Sequence, residues 1–282
     1  MTLMQVNATP HDQPQRPKPV TMSASDQAVL TSIYRYPVKG LSAEALDAVS
    51  LLAGDTIPFD RAYAIENGPG RFDPDAPRHL PKISFLMLMR NGRLAGLETT
   101  FDEATRTLTI CRDGGQVARG DLGTRLGRQM IEQFLAGYMA SELRGPPRIV
   151  QAEGHSFSDV AEKCLHIVNL ASVRELERSL DRPVDPLRFR ANLYIDGQAP
   201  WSEFQWGDEE IAIGEARLKV FARTDRCEAT NVDPANGARD MAIPATLARS
   251  HGNTEFGVYA TVVSDGIVKM GDRVLTAVAA SG

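Results

Sequence analysis

The chain is poor in cysteine: Cys111, Cys164 and Cys227 are the only three in 282 residues. They lie far apart, so the spacing matches neither a disulfide framework nor a zinc motif, and a reducing, cytoplasmic setting is expected. No apolar run approaches the ~18–20 residues that span a bilayer, so no membrane association is expected. The first residues lack the charged start and apolar middle of a secretory signal. Charge of one sign is also missing: 31 Lys and Arg against 36 Asp and Glu leave a formal net charge of −5. Such a chain has no global field to hold a polyanion, and nucleic acid is not expected as a partner. Local basic clusters can still hold a small phosphorylated ligand. There is no Walker loop and no Gly-x-Gly-x-x-Gly. Gly68-Pro69-Gly70 follows a strand but opens no helix, so it fails the context that phosphate binding needs.

What is present reads as a mainly β (α+β) fold with a few helices. Residues 1–27 are polar and carry Pro10, Pro14, Pro17 and Pro19; they are expected to be a disordered lead-in. Residues 28–120 read as an all-β unit. Val29 to Tyr36 are β-branched and aromatic, and strands are also expected at 49–52, 61–66, 83–90, 93–99 and 107–111, with hairpin turns at Asn91-Gly92 and Asp113-Gly114. Residues 121–147 form a helical connection: Leu122, Leu126, Met130, Ile131, Phe134, Leu135 and Tyr138 recur at three- and four-residue steps. Gly145-Pro146-Pro147 closes it. Residues 148–280 hold a helix near 171–180 and strands near 165–169, 191–195, 210–213, 217–221 and 257–263.

The segment Arg223-Thr224-Asp225-Arg226-Cys227-Glu228 is the most unusual in the chain. It follows a strand and leads into the polar turn Asp233-Pro234-Ala235-Asn236-Gly237. Arg223 and Arg226 favour a thiolate at Cys227, while Asp225 and Glu228 work against it. A lone cysteine cannot hold a metal ion by itself, and no other Cys or His stands at ligand spacing. A small half-buried hydrophobe and a functional thiolate both remain open for Cys227 on these residues alone.

Residues 223–240 resemble the signature of the MOSC domain, named for the C-terminal domain of molybdenum cofactor sulfurase. Tyr34-Arg35-Tyr36-Pro37-Val38-Lys39-Gly40 resembles the start of the N-terminal β-barrel that precedes MOSC in the amidoxime-reducing branch. The resemblance implies two β-barrel-like units, an N-terminal MOSC-associated barrel and a MOSC barrel. It implies a molybdenum–pterin cofactor, whose dithiolene supplies the metal's other sulfurs, with Cys227 as the metal-ligating and catalytic residue. It assigns Lys39, Arg61, Ser172, Arg188, Arg190, Asn192, Thr224 and Arg226 to cofactor binding. Arginine forks and a lysine point charge suit a phosphate dianion. The family's Thr-x-Arg stretch has no clear counterpart in residues 71–82, where Lys82 is the candidate replacement.

The activity implied is reduction of small N-hydroxylated compounds (amidoximes, hydroxylamines, N-hydroxylated bases). Electrons are expected from a separate donor protein of flavoprotein, ferredoxin or cytochrome type, because no ferredoxin-like stretch follows the barrel. The alternative is a sulfur-carrier or cofactor-handling protein that uses a Cys227 persulfide. Plainer roles also exist. Lys39 can be a solvated turn lysine, and Ser172 a helix N-cap. Arg188 and Arg190 can pair with Asp181 or Asp185 on the surface. His166 reads as a packed core histidine, Trp201 and Trp206 as barrel cover, and Asp233 and Asp240 as loop-shaping residues.

Overall fold

The computed structural model describes residues 28–207 and 210–276. The expected lead-in at 1–27 lies outside them. The first part of the chain contributes strands β1 (Ala28–Arg35), β2 (Glu44–Leu46), β3 (Ala48–Leu51), β4 (Ala64–Glu66), β5 (Glu98–Asp102), β6 (Thr107–Arg112) and β7 (Gly115–Asp121), then helix α1 (Arg125–Tyr138). The second part contributes β8 (Arg148–Val150), β9 (Leu165–Asn169), helix α2 (Leu170–Leu180), β10 (Leu193–Asp196), β11 (Glu210–Ile213) and β12 (Ala216–Asp225). Helix α3 (Ile243–His251), β13 (Glu255–Ser264), β14 (Gly266–Lys269) and β15 (Arg273–Thr276) complete it. The fold is mainly β with few helices, as the periodicity predicts.

Seven strands close into a barrel in the order β10-β9-β13-β12-β11-β15-β1, sealed where β1 pairs with β10. All of these pairs are antiparallel except β9 with β10, which are parallel and joined through α2. Residues of β12 alternate buried and exposed, so Ala216, Leu218 and Val220 point into the barrel. They meet Leu30 and Ile33 of β1 and Leu193 and Ile195 of β10 in one core.

β1 changes the domain picture. Residues 28–120 do not stand apart, because their first strand is a stave of the barrel. Leu30 faces Ile195 and Ile33 faces Leu193 on one edge, while Ala28 faces Val274 on the other. A strand's local pattern announces a strand; it does not announce the partners that satisfy its two edges. Among the described residues, the rest of this region forms no second closed barrel. It forms the three-stranded sheet β5-β6-β7, the pairs β4–β8 and β3–β14, and a separate core against α1. Two local expectations also change. Residues 82–84 and 92–96 are single 3-10 turns, so 83–90 is not a strand and Asn91-Gly92 is not a hairpin turn. Apolar residues there, such as Leu86 and Leu94, are buried by the α1 core without strand pairing.

Candidate cofactor cavity

Loops from both parts of the chain meet at one end of the barrel around a cavity of about 390 Å3. Seven stretches far apart in sequence line it. Cys227 sits two residues beyond the end of β12, as the sequence reading places it, and opens the 3-10 turn Glu228–Asn231. The structure brings Lys39, Arg61, Arg188, Arg190, Asn192, Arg226 and Cys227 to the cavity wall, together with Lys82 and Arg223. Asp60, Asp159 and Asp225 are the carboxylates on that wall. Seven cationic side chains against three carboxylates make an anion-attracting site in a chain whose net charge is −5.

Arg61 and Arg190 are held in left-handed backbone, with φ of 50° and 52°. Such strain in non-glycine residues persists only where the surroundings over-determine it, and it concentrates at functional sites. Both guanidinium groups lie over the ring of Tyr36, at 4.6 and 4.2 Å. Arg61 pairs with the buried Asp60 and donates to the Arg190 carbonyl at 2.8 Å and to Asn192 Oδ1 at 3.3 Å. Burial opposes its charge, but Asp60 outweighs burial and holds Arg61 above its ordinary range. Arg190 has no carboxylate of its own. Burial, reinforced by Arg61, lowers it to about 10. An anionic ligand would relieve that deficit.

Lys39 is buried rather than a solvated turn lysine. Its Nζ donates to the Phe157 carbonyl at 2.8 Å and to Asp159 Oδ1 at 2.5 Å. Burial lowers it below its ordinary value despite Asp159. Asp159 also reaches Lys82 Nζ, at 3.5 Å. Burial opposes its ionisation, yet Lys39, Lys82 and Arg61 hold it well below the usual carboxylate range. Burial opposes the charge of Lys82, but Asp159 and then Cys227 outweigh it and hold Lys82 above its ordinary value. Lys82 and Cys227 line the same cavity.

Arg188 does not pair with Asp181 or Asp185. It reaches Asp240 Oδ1 at 2.8 Å and Asp233 Oδ2 at 3.5 Å, which ties the turn after Cys227 to the stretch before β10. Arg239 fastens the same turn to the cavity wall, donating to the carbonyls of Glu228 at 3.2 Å and Leu88 at 3.0 Å. The Nε–H groups of Arg188 and Arg226 are buried and find no acceptor among the described residues. Buried donors are nearly always satisfied. Two orphans on cavity-lining arginines therefore fit a ligand rich in oxygen acceptors.

Asn192 is used structurally: its Oδ1 accepts from the His166 backbone N–H at 3.1 Å and its Nδ2 donates to the Tyr34 carbonyl at 3.1 Å. His166 is buried as expected, yet it also lines the cavity beside Tyr259. Gly257, at φ 76°, allows this approach, since a Cβ there would lie 2.7 Å from His166 Nε2.

Two expected residues are not on the wall. Thr224 is buried on β12 with its hydroxyl unpartnered among the described residues. Ser172 lies inside α2, where Asn169 rather than Ser172 caps the helix. Its hydroxyl donates to Glu203 Oε1 at 2.8 Å and accepts from the Trp201 N–H at 2.8 Å, so its one proton is already used and not free for a phosphate oxygen. Replacing Ser172 by Ala is expected to cost about 1–3 kcal/mol of stability by removing one donor from a buried acid and the acceptor of the Trp201 N–H, with cofactor content unchanged. Thermal melts and metal analysis check both halves.

Burial raises the Glu203 carboxyl above its ordinary value, against the hydrogen bonds from Ser172 and Asn169. The folded state therefore holds that proton more tightly than the unfolded chain. The associated stability is full at pH below the ordinary glutamate range and is lost as pH rises through the raised folded value. Glu203→Gln is expected to flatten this decline in melts recorded between about pH 4 and pH 8.

Residues 152–275 match the family model described as "MOSC domain". The chain is 28% identical over 246 residues to the molybdenum cofactor sulfurase of Drosophila grimshawi, covering 79% of this chain and 31% of that protein. It therefore spans about a third of that relative's length. It is 23% identical over 291 residues to the human mitochondrial amidoxime-reducing component 1, covering 87% of this chain and 82% of that protein. Among solved structures, the YuaD protein of Bacillus subtilis aligns over 88% of this chain and 94% of its own, at 13% identity and a TM-score of 0.41. The chain thus carries a MOSC domain over residues 152–275 and is similar to molybdenum cofactor sulfurases and to an amidoxime-reducing component.

Proposed function

We propose that the cavity holds a molybdenum–pterin cofactor with Cys227 as the metal's one protein ligand, and that the protein reduces small N-hydroxylated compounds in the cytoplasm with electrons from a separate donor protein. The observation that carries this reading is the cation-rich cavity with the half-buried Cys227 thiol on its wall, where the second cysteine, Cys164, is buried, inside an acidic chain. Among the described residues, no three His, Cys, Asp or Glu side chains are placed to hold a metal ion. A metal at Cys227 must then bring its other ligands, as a dithiolene does. When bound, the cofactor supplies two-electron oxygen-atom transfer. The protein's part is to bind and orient. Lys39, Arg188, Arg190 and Arg226 would neutralise the phosphate and take its oxygens, with Arg61 bracing Arg190. Lys82 would place positive charge on the wall that also carries Cys227. Met87, Leu88 and Met89 give the wall an apolar stretch that limits water.

The relative named a sulfurase supports a second reading, in which Cys227 carries a persulfide. The two are separated by assaying cofactor-loaded protein with benzamidoxime and a chemically reduced viologen dye. Steady formation of benzamidine supports the reductase. No turnover, with an added sulfur atom on Cys227 in the mass spectrum, supports the carrier. Among the described residues no helix is long and apolar enough to cross a membrane.

A further inference from the structure

One carboxylate on the cavity wall occupies cations that a phosphate would use. Lys39 Nζ meets Asp159 Oδ1 at 2.5 Å, and Lys82 Nζ lies 3.5 Å from Asp159 Oδ2. Lys39 is only 8% exposed, and a charge at that depth needs a counter-charge. Asp159 supplies it.

The three carboxylates of the wall are not held alike. Asp60 is buried and takes the Tyr36 N–H at 2.9 Å as well as Arg61. Asp225 ends β12 and accepts from the Thr254 hydroxyl. The Asp159 side chain is 44% exposed, and among the described residues the two lysines are its partners. It lies between β8 and β9, in the stretch 151–164, which holds no strand or helix. The Phe157 N–H ties that stretch to the Arg61 carbonyl at 2.8 Å. Beyond this tie, the Ser158 hydroxyl and the Val160 backbone bond to one another. Asp159 is therefore the wall carboxylate best placed to turn outward.

Two anions on one buried ammonium repel each other where screening is poor. The one that already stands partly in water loses least by leaving. We propose that Asp159 is a displaceable internal anion: it holds Lys39 and Lys82 in the ligand-free protein, and an incoming phosphate group takes its place and turns it, with residues 158–163, out toward solvent. Loading the cavity is then an exchange of one anion for another, and the buried lysine is never left without a counter-charge. The exchange also gives the surface around 158–163 one form in the ligand-free protein and another in the loaded one. This inference rests on the reading that the cavity binds a phosphate group.

The test uses the full chain, made in a host that lacks the pterin, with inorganic phosphate as the probe at about pH 8, above its second ionisation. Hydrogen exchange is followed by mass spectrometry and affinity by calorimetry. Saturating phosphate should slow exchange at 188–192, where Arg188 and Arg190 lie, and speed it at 158–163. Asp159→Asn should bind phosphate about tenfold more tightly, because no carboxylate has to leave. The variant should melt below the wild type without phosphate, and at or above it in saturating phosphate. Exchange at 158–163 that slows or stays the same when the wild type binds phosphate overturns the displacement and leaves the phosphate site standing. So does a variant that melts below the wild type by the same margin with and without phosphate. The wild-type exchange pattern decides the matter even where the variant folds poorly. If neither wild type nor variant binds phosphate, the phosphate reading of the cavity falls, and the displacement with it.

Discussion

Cys227→Ser is expected to lower bound molybdenum by about tenfold or more while the pterin stays at or near its wild-type level. Loss of a supporting group around a metal already costs about 10–100-fold in affinity, and loss of the direct ligand costs no less. The pterin should remain because its proposed anchors lie elsewhere, on Lys39, Arg188, Arg190 and Arg226, whose side chains bond to other partners. Reduction of N-hydroxylated probes should fall with the metal. Molybdenum by elemental analysis and pterin by fluorescence of its oxidised form, read on the same sample, separate the two. Loss of both together would mean that Cys227 holds the cavity in shape rather than the metal.

The second large effect is on folding. Arg61→Leu removes the counter-charge of Asp60, which is 3% exposed and accepts the Tyr36 backbone N–H at 2.9 Å. Breaking a buried pair from one side costs about 3–5 kcal/mol, because the remaining charge is stranded. Urea denaturation should show that loss. The double variant Arg61→Leu, Asp60→Asn should recover most of it, since the amide oxygen can still accept from Tyr36. Recovery of stability should not restore full cofactor content, because the brace on Arg190 and its carbonyl is gone. A single variant as stable as the wild type would contradict the buried pair.

Much of this site is legible in the sequence, for physical reasons that differ by residue. Cys227 could be placed just beyond a strand because β12 alternates strongly and ends in a run of charge. Lys39 and Arg61 flank turns whose residue types are distinctive. Arg188, Arg190 and Asn192 fall in one short stretch. Ser172 had the local look of a phosphate-binding helix start, but a buried Glu203 thirty-one residues away claims its hydroxyl. No local pattern reports such a long-range partner. Asp159 was invisible for the same reason: it matters only because Lys39 and Lys82 converge on it. His166 is legible as buried but not as cavity-lining, because alternation along a strand gives depth and not which end of the barrel is open.

The fold divides in the same way. Strong helices and long strands were legible from period alone, α1 and α2 among them. The role of β1 was not, since its partners β10 and β15 come more than 150 residues later. The short apolar stretch at 83–90 reads as a strand but opens in a 3-10 turn and forms none, and the strand expected at 93–99 starts only at Glu98, after a second 3-10 turn, because burial in the α1 core outweighs local β propensity.

The most direct test of the central claim is the molybdenum and pterin content of the wild-type protein, purified from a host that makes the cofactor. Binding in the cavity predicts both in near-equal amounts, lost together when Arg188 and Arg190 are replaced by Leu. Wild-type protein carrying neither would contradict it.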